Sequence, residues 1–170
     1  IYLAQVEPST EKLMLEADLY QQINMLEVAI DKLQEALDLE PNDPIIHFAL
    51  AELLYYDGQY LRATREYETV LETGEYEVNG VNIFSRMADC SLQSGNYSDA
   101  ISLFDEINEE EMNSEDYFKK SIAYEKNDLT QEAIKIMQTL LSKDPDFIQG
   151  YFYLQSLDRK STRLNSSHPT

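Results

Sequence analysis

The groups best suited to chemistry are few: Cys90, His47, and the carboxylates Asp105, Glu106, Glu109, Glu110, Glu111, Glu115 and Asp116. A thiol held against a histidine would be an activated nucleophile, but no histidine accompanies Cys90 nearby, and its mid-helix position reads as a buried structural thiol. His47, the only histidine before the C-terminal tail, reads as a packed core residue beside Phe48. It joins no Cys/His set with zinc spacing, and the chain has no glycine-rich phosphate loop. The carboxylate run could collect a divalent cation. A calcium loop, however, alternates oxygen ligands around a glycine at its sharp turn, and this stretch has neither. It reads as solvated loop, with Glu115 and Asp116 in the first turn of a helix capped by Ser114. The sequence therefore predicts no catalytic residue, no cofactor and no metal, and any function must lie in a surface.

A repeat must position that surface. Ala29, Ala63, Ala100 and Ala133 recur at intervals of 34, 37 and 33 residues, the period of a helix-turn-helix array in which each unit buries its apolar face against its neighbours. One helix earlier stand Ala17, Ala51, Ala88 and Ser121, small residues that let two helices cross closely. Leu33, Tyr67, Phe104 and Met137 fill the flanking space, and Ala36, Val70, Ile107 and Leu140 form the next inward ridge. Asn24, Gly58, Gly95 and Asp128 sit between helices and tolerate the left-handed conformation that ends one. Glu40-Pro41 and Asp144-Pro145 stop helices, and Asp43-Pro44 reads as a cap and first helical residue. The fourth turn reads as one residue out of phase at Leu129.

Small-residue pairs, Leu26, Tyr60 and Tyr97 after the turn, and a terminal proline together resemble the tetratricopeptide repeat over residues 1–157. Departures are His47 at a site that favours an aromatic, Glu16 and Lys120 at apolar sites, and Ser91 in place of tyrosine. The stretch LEPNDPIIHFALAELLYYDGQYLRA and the link Glu77-Val78-Asn79-Gly80-Val81-Asn82-Ile83 look like the acidic multi-repeat proteins of this family in low-GC Gram-positive bacteria. The resemblance implies an all-α fold, a right-handed α-solenoid of antiparallel helix pairs. Its units would lie at 9–42, 43–77, 80–112 and 113–146, with the first helix of a fifth at 147–157. Ile1–Val6 before Pro8 reads as the end of an earlier repeat, so the array is expected to be truncated at both ends.

In that family the first helices line a concave groove, which implies a non-enzymatic scaffold binding a peptide or partner segment. The groove residues would be Met14, Asp18 and Gln21 from the first unit, and Phe48, Glu52, Tyr55 and Tyr56 from the second. Asp89 and Leu92 follow from the third, then Phe118, Ile122 and Glu125 from the fourth. Family members that grip an acidic C-terminal peptide present cations from these helices. Here Asp18, Glu52 and Asp89 occupy the stripe, so the expected partner is apolar and basic.

The net charge is −19, which repels phosphate and argues against nucleic acid and anionic membranes as partners. One cysteine excludes an internal disulfide, and no stretch is long and apolar enough to span a bilayer, which points to the cytoplasm. From Asp158 the sequence reads DRKSTRLNSSH, similar to the in-frame translation of a sequencing-library adapter, so residues 158–170 are read as a non-native tail. Setting aside Asp158, Arg159, Lys160 and Arg163 leaves 31 acidic and 10 basic residues, a charge near −21. A cut inside the fifth unit is expected to expose Phe152, Tyr153 and Leu157 and to favour self-association through that end. The alternative reading is the repeat portion of a larger regulator or enzyme, such as a peptide-sensing transcription factor or a transferase, whose active domain lies elsewhere. An envelope assembly factor is a third.

Overall fold

The structure, a computed structural model, describes residues 9–166. The expected helix end at Ile1–Val6 and the last tail residues, 167–170, lie outside them. The helices are α1 (Thr10–Gln22), α2 (Leu26–Leu39), α3 (Pro44–Tyr56), α4 (Tyr60–Glu72), α5 (Ile83–Gln93), α6 (Tyr97–Asp105), α7 (Ser114–Lys126), α8 (Thr130–Lys143) and α9 (Ile148–Ser166). Two-residue strands β1 (Glu77–Val78) and β2 (Val81–Asn82) lie between α4 and α5. The fold is all-α, built from helix pairs, and it forms two compact units that divide between Ile83 and Phe84.

Every pair is joined by the same turn. Asn24, Gly58, Gly95 and Asp128 have φ of 59°, 77°, 79° and 61°. The next residues, Met25, Gln59, Asn96 and Leu129, donate their N–H to the carbonyls of Tyr20, Leu54, Ser91 and Tyr124 at 2.8–2.9 Å, the helix-ending bond of a Schellman turn. The fourth turn is therefore in phase, contrary to expectation. Leu129 is the N-cap, and Thr130 takes the place of Leu26, Tyr60 and Tyr97 and is buried.

The first helices α1, α3 and α7 carry side-chain caps. Ser9 accepts from the Lys12 N–H at 3.3 Å, and Asp43 accepts from Ile45 and Ile46 with Pro44 as first residue. In α7 the cap is Asn113, not Ser114, because Asn113 and Asp116 exchange reciprocal bonds in a capping box. Ser114 instead donates to Asp144 at 2.6 Å, as Thr10 does to Glu40. In both cases a hydroxyl opening a first helix holds the acid just before the proline that follows its paired second helix.

The eight small residues at the crossings are at most 3% exposed, and Tyr67, Phe104 and Met137 are fully buried beside them. In the fourth pair the Ser121 hydroxyl donates to the Ala133 carbonyl at 2.9 Å, so that crossing is hydrogen-bonded as well as close. The second unit's core gathers Ala88, Phe104, Tyr117, Met137, Leu140 and Leu157.

Two features depart from the sequence reading. The link at 77–82 is a β-hairpin, pairing Glu77 with Asn82 and Val78 with Val81 around Asn79 (φ 52°) and Gly80 (φ 76°). Positive φ at both central residues is what a type I′ hairpin turn requires, and Asn-Gly is its favoured sequence. The last helix also runs beyond Leu157 to Ser166, since no glycine or proline intervenes between Gly150 and Pro169 to stop it. Of the three residues expected to be bared at that end, Leu157 is 1% exposed and Tyr153 is packed against the core, which leaves Phe152 at 71%. Tyr153 and Leu157 face inward, on the side of Phe118.

Candidate partner-binding cleft

Met14, Asp18 and Gln21 are spaced i, i+4, i+7 on α1, and Ile45, Phe48 or Ala49, and Glu52 repeat that spacing on α3, so each set shares one helical face. In the first unit these faces border a cleft of about 290 Å³, completed by Ala17, Leu33, Leu53 and Asn79. Its floor is apolar and buried: Ala17, Leu33, Phe48 and Leu53 are between 2% and 7% exposed. Met14, Gln21, Ala49 and Glu52 are half-buried on its walls, and Asp18, Ile45 and Asn79 are exposed at its rim.

Two carboxylates, one at the rim and one on the wall, are held in place by hydrogen bonds. Asp18 accepts a hydrogen bond from Gln22 Nε2 at 2.9 Å. Glu52 accepts from the hydroxyl of buried Tyr67 at 2.5 Å, and the Tyr67 ring packs against Phe48 with centroids 6.2 Å apart. Such a site can seat an apolar group and attract a cation. A wider depression at the turn ends, bordered by Asn24, Met25, Leu26, Glu27, Val28 and Asp57, includes no residue expected in the groove.

The structure thus brings Met14, Asp18, Gln21, Phe48 and Glu52 to one cleft. Phe48 contributes its buried floor rather than an exposed ring. Tyr55 and Tyr56 do not line it. They lie in the last turn of α3, where Tyr55 stands edge-on to Tyr56 and Tyr60 at 5.8 and 5.7 Å, and Tyr56 is 60% exposed.

The other five belong to the second unit. Asp89, read from sequence as an open stripe carboxylate, is 1% exposed and bound to Lys119 Nζ at 2.6 Å. Lys119 and Lys120 are cations on a first helix, yet Lys120 reaches Asp105 at 2.7 Å, so both are engaged within the chain. Phe118 packs against Phe147 and Tyr153 at 5.5 and 5.2 Å. Glu125 meets Lys160 at 2.7 Å. Burial, with a smaller contribution from Glu125, pushes the Tyr153 phenol well above its ordinary value. Leu92 and Ile122 are half-buried.

Ala49, Leu53 and Asn79 also line the cleft without having been expected there, as do the crossing residues Ala17 and Leu33. Ala49 and Leu53 show only the ordinary apolar pattern of α3, whereas Asn79 carried a signal in its Asn-Gly turn. His47 lies outside the cleft, 8% exposed, with Nδ1 at 2.8 Å from Glu66 and Nε2 at 3.0 Å from the Pro41 carbonyl. Cys90 is buried. Among the described residues no group of three or more His, Cys, Asp or Glu is placed to hold a metal, and no helix is long and apolar enough to cross a membrane.

Comparison with known proteins agrees with the fold. A profile of YpiA-like tetratricopeptide repeats matches residues 21–75, and a tetratricopeptide-repeat profile matches residues 117–146. The chain is 33% identical over 153 residues to the TPR repeat-containing protein YpiA of Bacillus subtilis, covering 89% of this chain and 36% of that protein. It thus spans about a third of that relative's length. Among solved structures, MamA from Desulfovibrio magneticus superposes with a TM-score of 0.76 at 19% identity, over 90% of this chain and 85% of that one. YrrB, a TPR protein with an unusual peptide-binding site, gives 0.70 at 18% identity, over 89% and 77%.

Proposed function

The chain belongs to the tetratricopeptide-repeat family, and on that premise we propose that it is a non-enzymatic scaffold that grips a partner segment in the cleft between α1 and α3. The observation that carries this reading is a cleft of about 290 Å³ whose floor is buried and apolar, with Asp18 at its rim and Glu52 on its wall. That size lies at the lower edge of the roughly 300–1,000 Å³ of ligand pockets and suits one or two apolar side chains. Its acidic rim favours a segment with lysine or arginine beside the apolar anchor, and the net charge of −19 opposes phosphate-rich partners such as nucleic acid or anionic membrane. The peptide site of YrrB gives precedent for peptide capture on this fold. The single thiol is buried, in keeping with work in the cytoplasm. Residues 158–170 lie outside this function.

A random-peptide display selection on immobilised protein tests the reading. Enriched sequences should pair an apolar residue with Lys or Arg and should be lost from Ala49→Leu, which fills the cleft from its wall. Enrichment of acidic sequences, or enrichment unchanged by Ala49→Leu, would contradict it.

A further inference from the structure

The hairpin is an insertion with a position. The α2–α3 and α8–α9 junctions take four residues each, 40–43 and 144–147, and the α6–α7 junction takes eight, 106–113, whereas the α4–α5 junction takes ten, 73–82, and is the one that pairs as strands. Two short strands fold those extra residues back, and the residue at their tip, Asn79, lines the cleft. The turn alone does not demand asparagine, because Asp-Gly and Gly-Gly satisfy the same two positive φ values. What asparagine adds is an amide with both a donor and an acceptor.

That amide stands on a fixed mount. Val78 is 8% exposed, Val78 pairs with Val81, and the Ile83 N–H donates to the Tyr76 carbonyl at 2.9 Å, closing the loop at its base. With the backbone fixed, only the side-chain torsions of Asn79 remain to be ordered on binding. An extended peptide presents N–H and C=O groups whatever its side chains, and those are the partners that a carboxamide complements.

We infer that the inserted hairpin is a specificity element, in which Asn79 hydrogen-bonds the main chain of an extended basic peptide whose apolar anchor occupies the Phe48–Leu53 floor. The inference rests on the cleft being the binding site. It assigns three roles: the floor takes the anchor, Asp18 at the exposed rim takes the flanking cation, and Asn79 sets the register between them. The ligand class is then a short extended segment, since a helical one has its main-chain groups already paired.

The probe is a fluorescein-labelled Gly-Lys-Leu-Lys-Gly peptide, with three twins N-methylated at one of the central residues, measured by anisotropy against the native chain and Asn79→Gly. Glycine keeps the positive-φ turn, so the hairpin stays while the amide goes. The native chain is expected to bind the parent peptide, and Asn79→Gly to bind it roughly fivefold more weakly, the worth of one neutral hydrogen bond. One N-methylated twin should lose a similar factor against the native chain and nothing further against Asn79→Gly. Native affinity in Asn79→Gly, with Ala49→Leu still abolishing binding, would overturn the role of Asn79 while leaving the cleft reading intact. A parent peptide that fails to bind, or that binds Ala49→Leu as well as the native chain, would overturn both.

Discussion

Replacing Phe48 with alanine separates a groove aromatic from a core aromatic, and the structure fixes the size of the effect. The ring is 7% exposed, lies on the cleft floor and packs against Tyr67 with centroids 6.2 Å apart. A buried aromatic side chain removes about 150–250 Å² from water, which at about 25 cal/mol per Å² is roughly 4–6 kcal/mol before the methyl that alanine retains. The space left behind opens into the cleft, where water can enter, so little is added for an empty cavity. Losing the tilted ring contact with Tyr67 contributes roughly 0.5–1.5 kcal/mol. The retained methyl, about 1 kcal/mol, roughly offsets the Tyr67 contact, so the expected loss is about 4–6 kcal/mol, a large part of the roughly 5–15 kcal/mol that holds a domain of this size. Urea unfolding followed by far-ultraviolet circular dichroism measures it. Tyr55→Ala serves as the internal contrast: its ring is only half-buried beside Tyr56 and Tyr60, and its loss should cost about 1–1.5 kcal/mol. A Phe48→Ala loss below about 1 kcal/mol would place the ring in solvent and overturn its assignment to the buried floor.

Further outcomes follow from other features. Asn24→Gly and Asp128→Gly should leave the melting temperature unchanged or raised, whereas Asn24→Val, forced to φ near 59°, should cost about 1–2 kcal/mol; equal melting temperatures would contradict the turn assignment. Asp18→Asn should weaken binding of the Gly-Lys-Leu-Lys-Gly probe and flatten its dependence on salt, and an unchanged salt response would remove Asp18 from the site. Tyr153 is more easily ionised unfolded than folded, so its contribution to stability is complete below its ordinary value of 10.0 and is lost as pH rises beyond it. Tyr153→Phe should shift alkaline unfolding to higher pH, and an unshifted midpoint would argue against that contribution. Deleting residues 158–170 removes the partly exposed Lys160–Glu125 pair but keeps buried Leu157, so stability should fall by less than about 1 kcal/mol; cooperative melting of the second unit would make the tail structural.

The crossings and turns were legible in sequence because they repeat: Ala17 and Ala29 mean little singly, but the same residue types at one phase in four pairs leave one packing solution. Leu129 misled because a leucine drew the register by one, while the residue in phase is Thr130, whose type gives no signal. The hairpin escaped a reading that sought helical phase, although Asn79-Gly80 between two valines spells it locally. Half of the cleft was legible because residues 14, 18 and 21, like 48 and 52, share a face by spacing alone. The second-unit residues were not, since their fate depends on contacts remote in sequence. Asp89 looks like a surface carboxylate until Lys119, thirty residues later, is seen to bury it, and Phe118 looks like an anchor until Phe147 and Tyr153 close on it.

The most direct test of the account is a methyl-labelled NMR titration of the chain with the Gly-Lys-Leu-Lys-Gly peptide. Shifts should concentrate on the methyl groups of Met14, Ala49 and Leu53 and saturate together, in proportion to occupancy of the cleft. Shifts confined instead to Leu15, Leu19 and Ile23, exposed apolar residues outside the cleft lining, would contradict it and move the binding surface to another face.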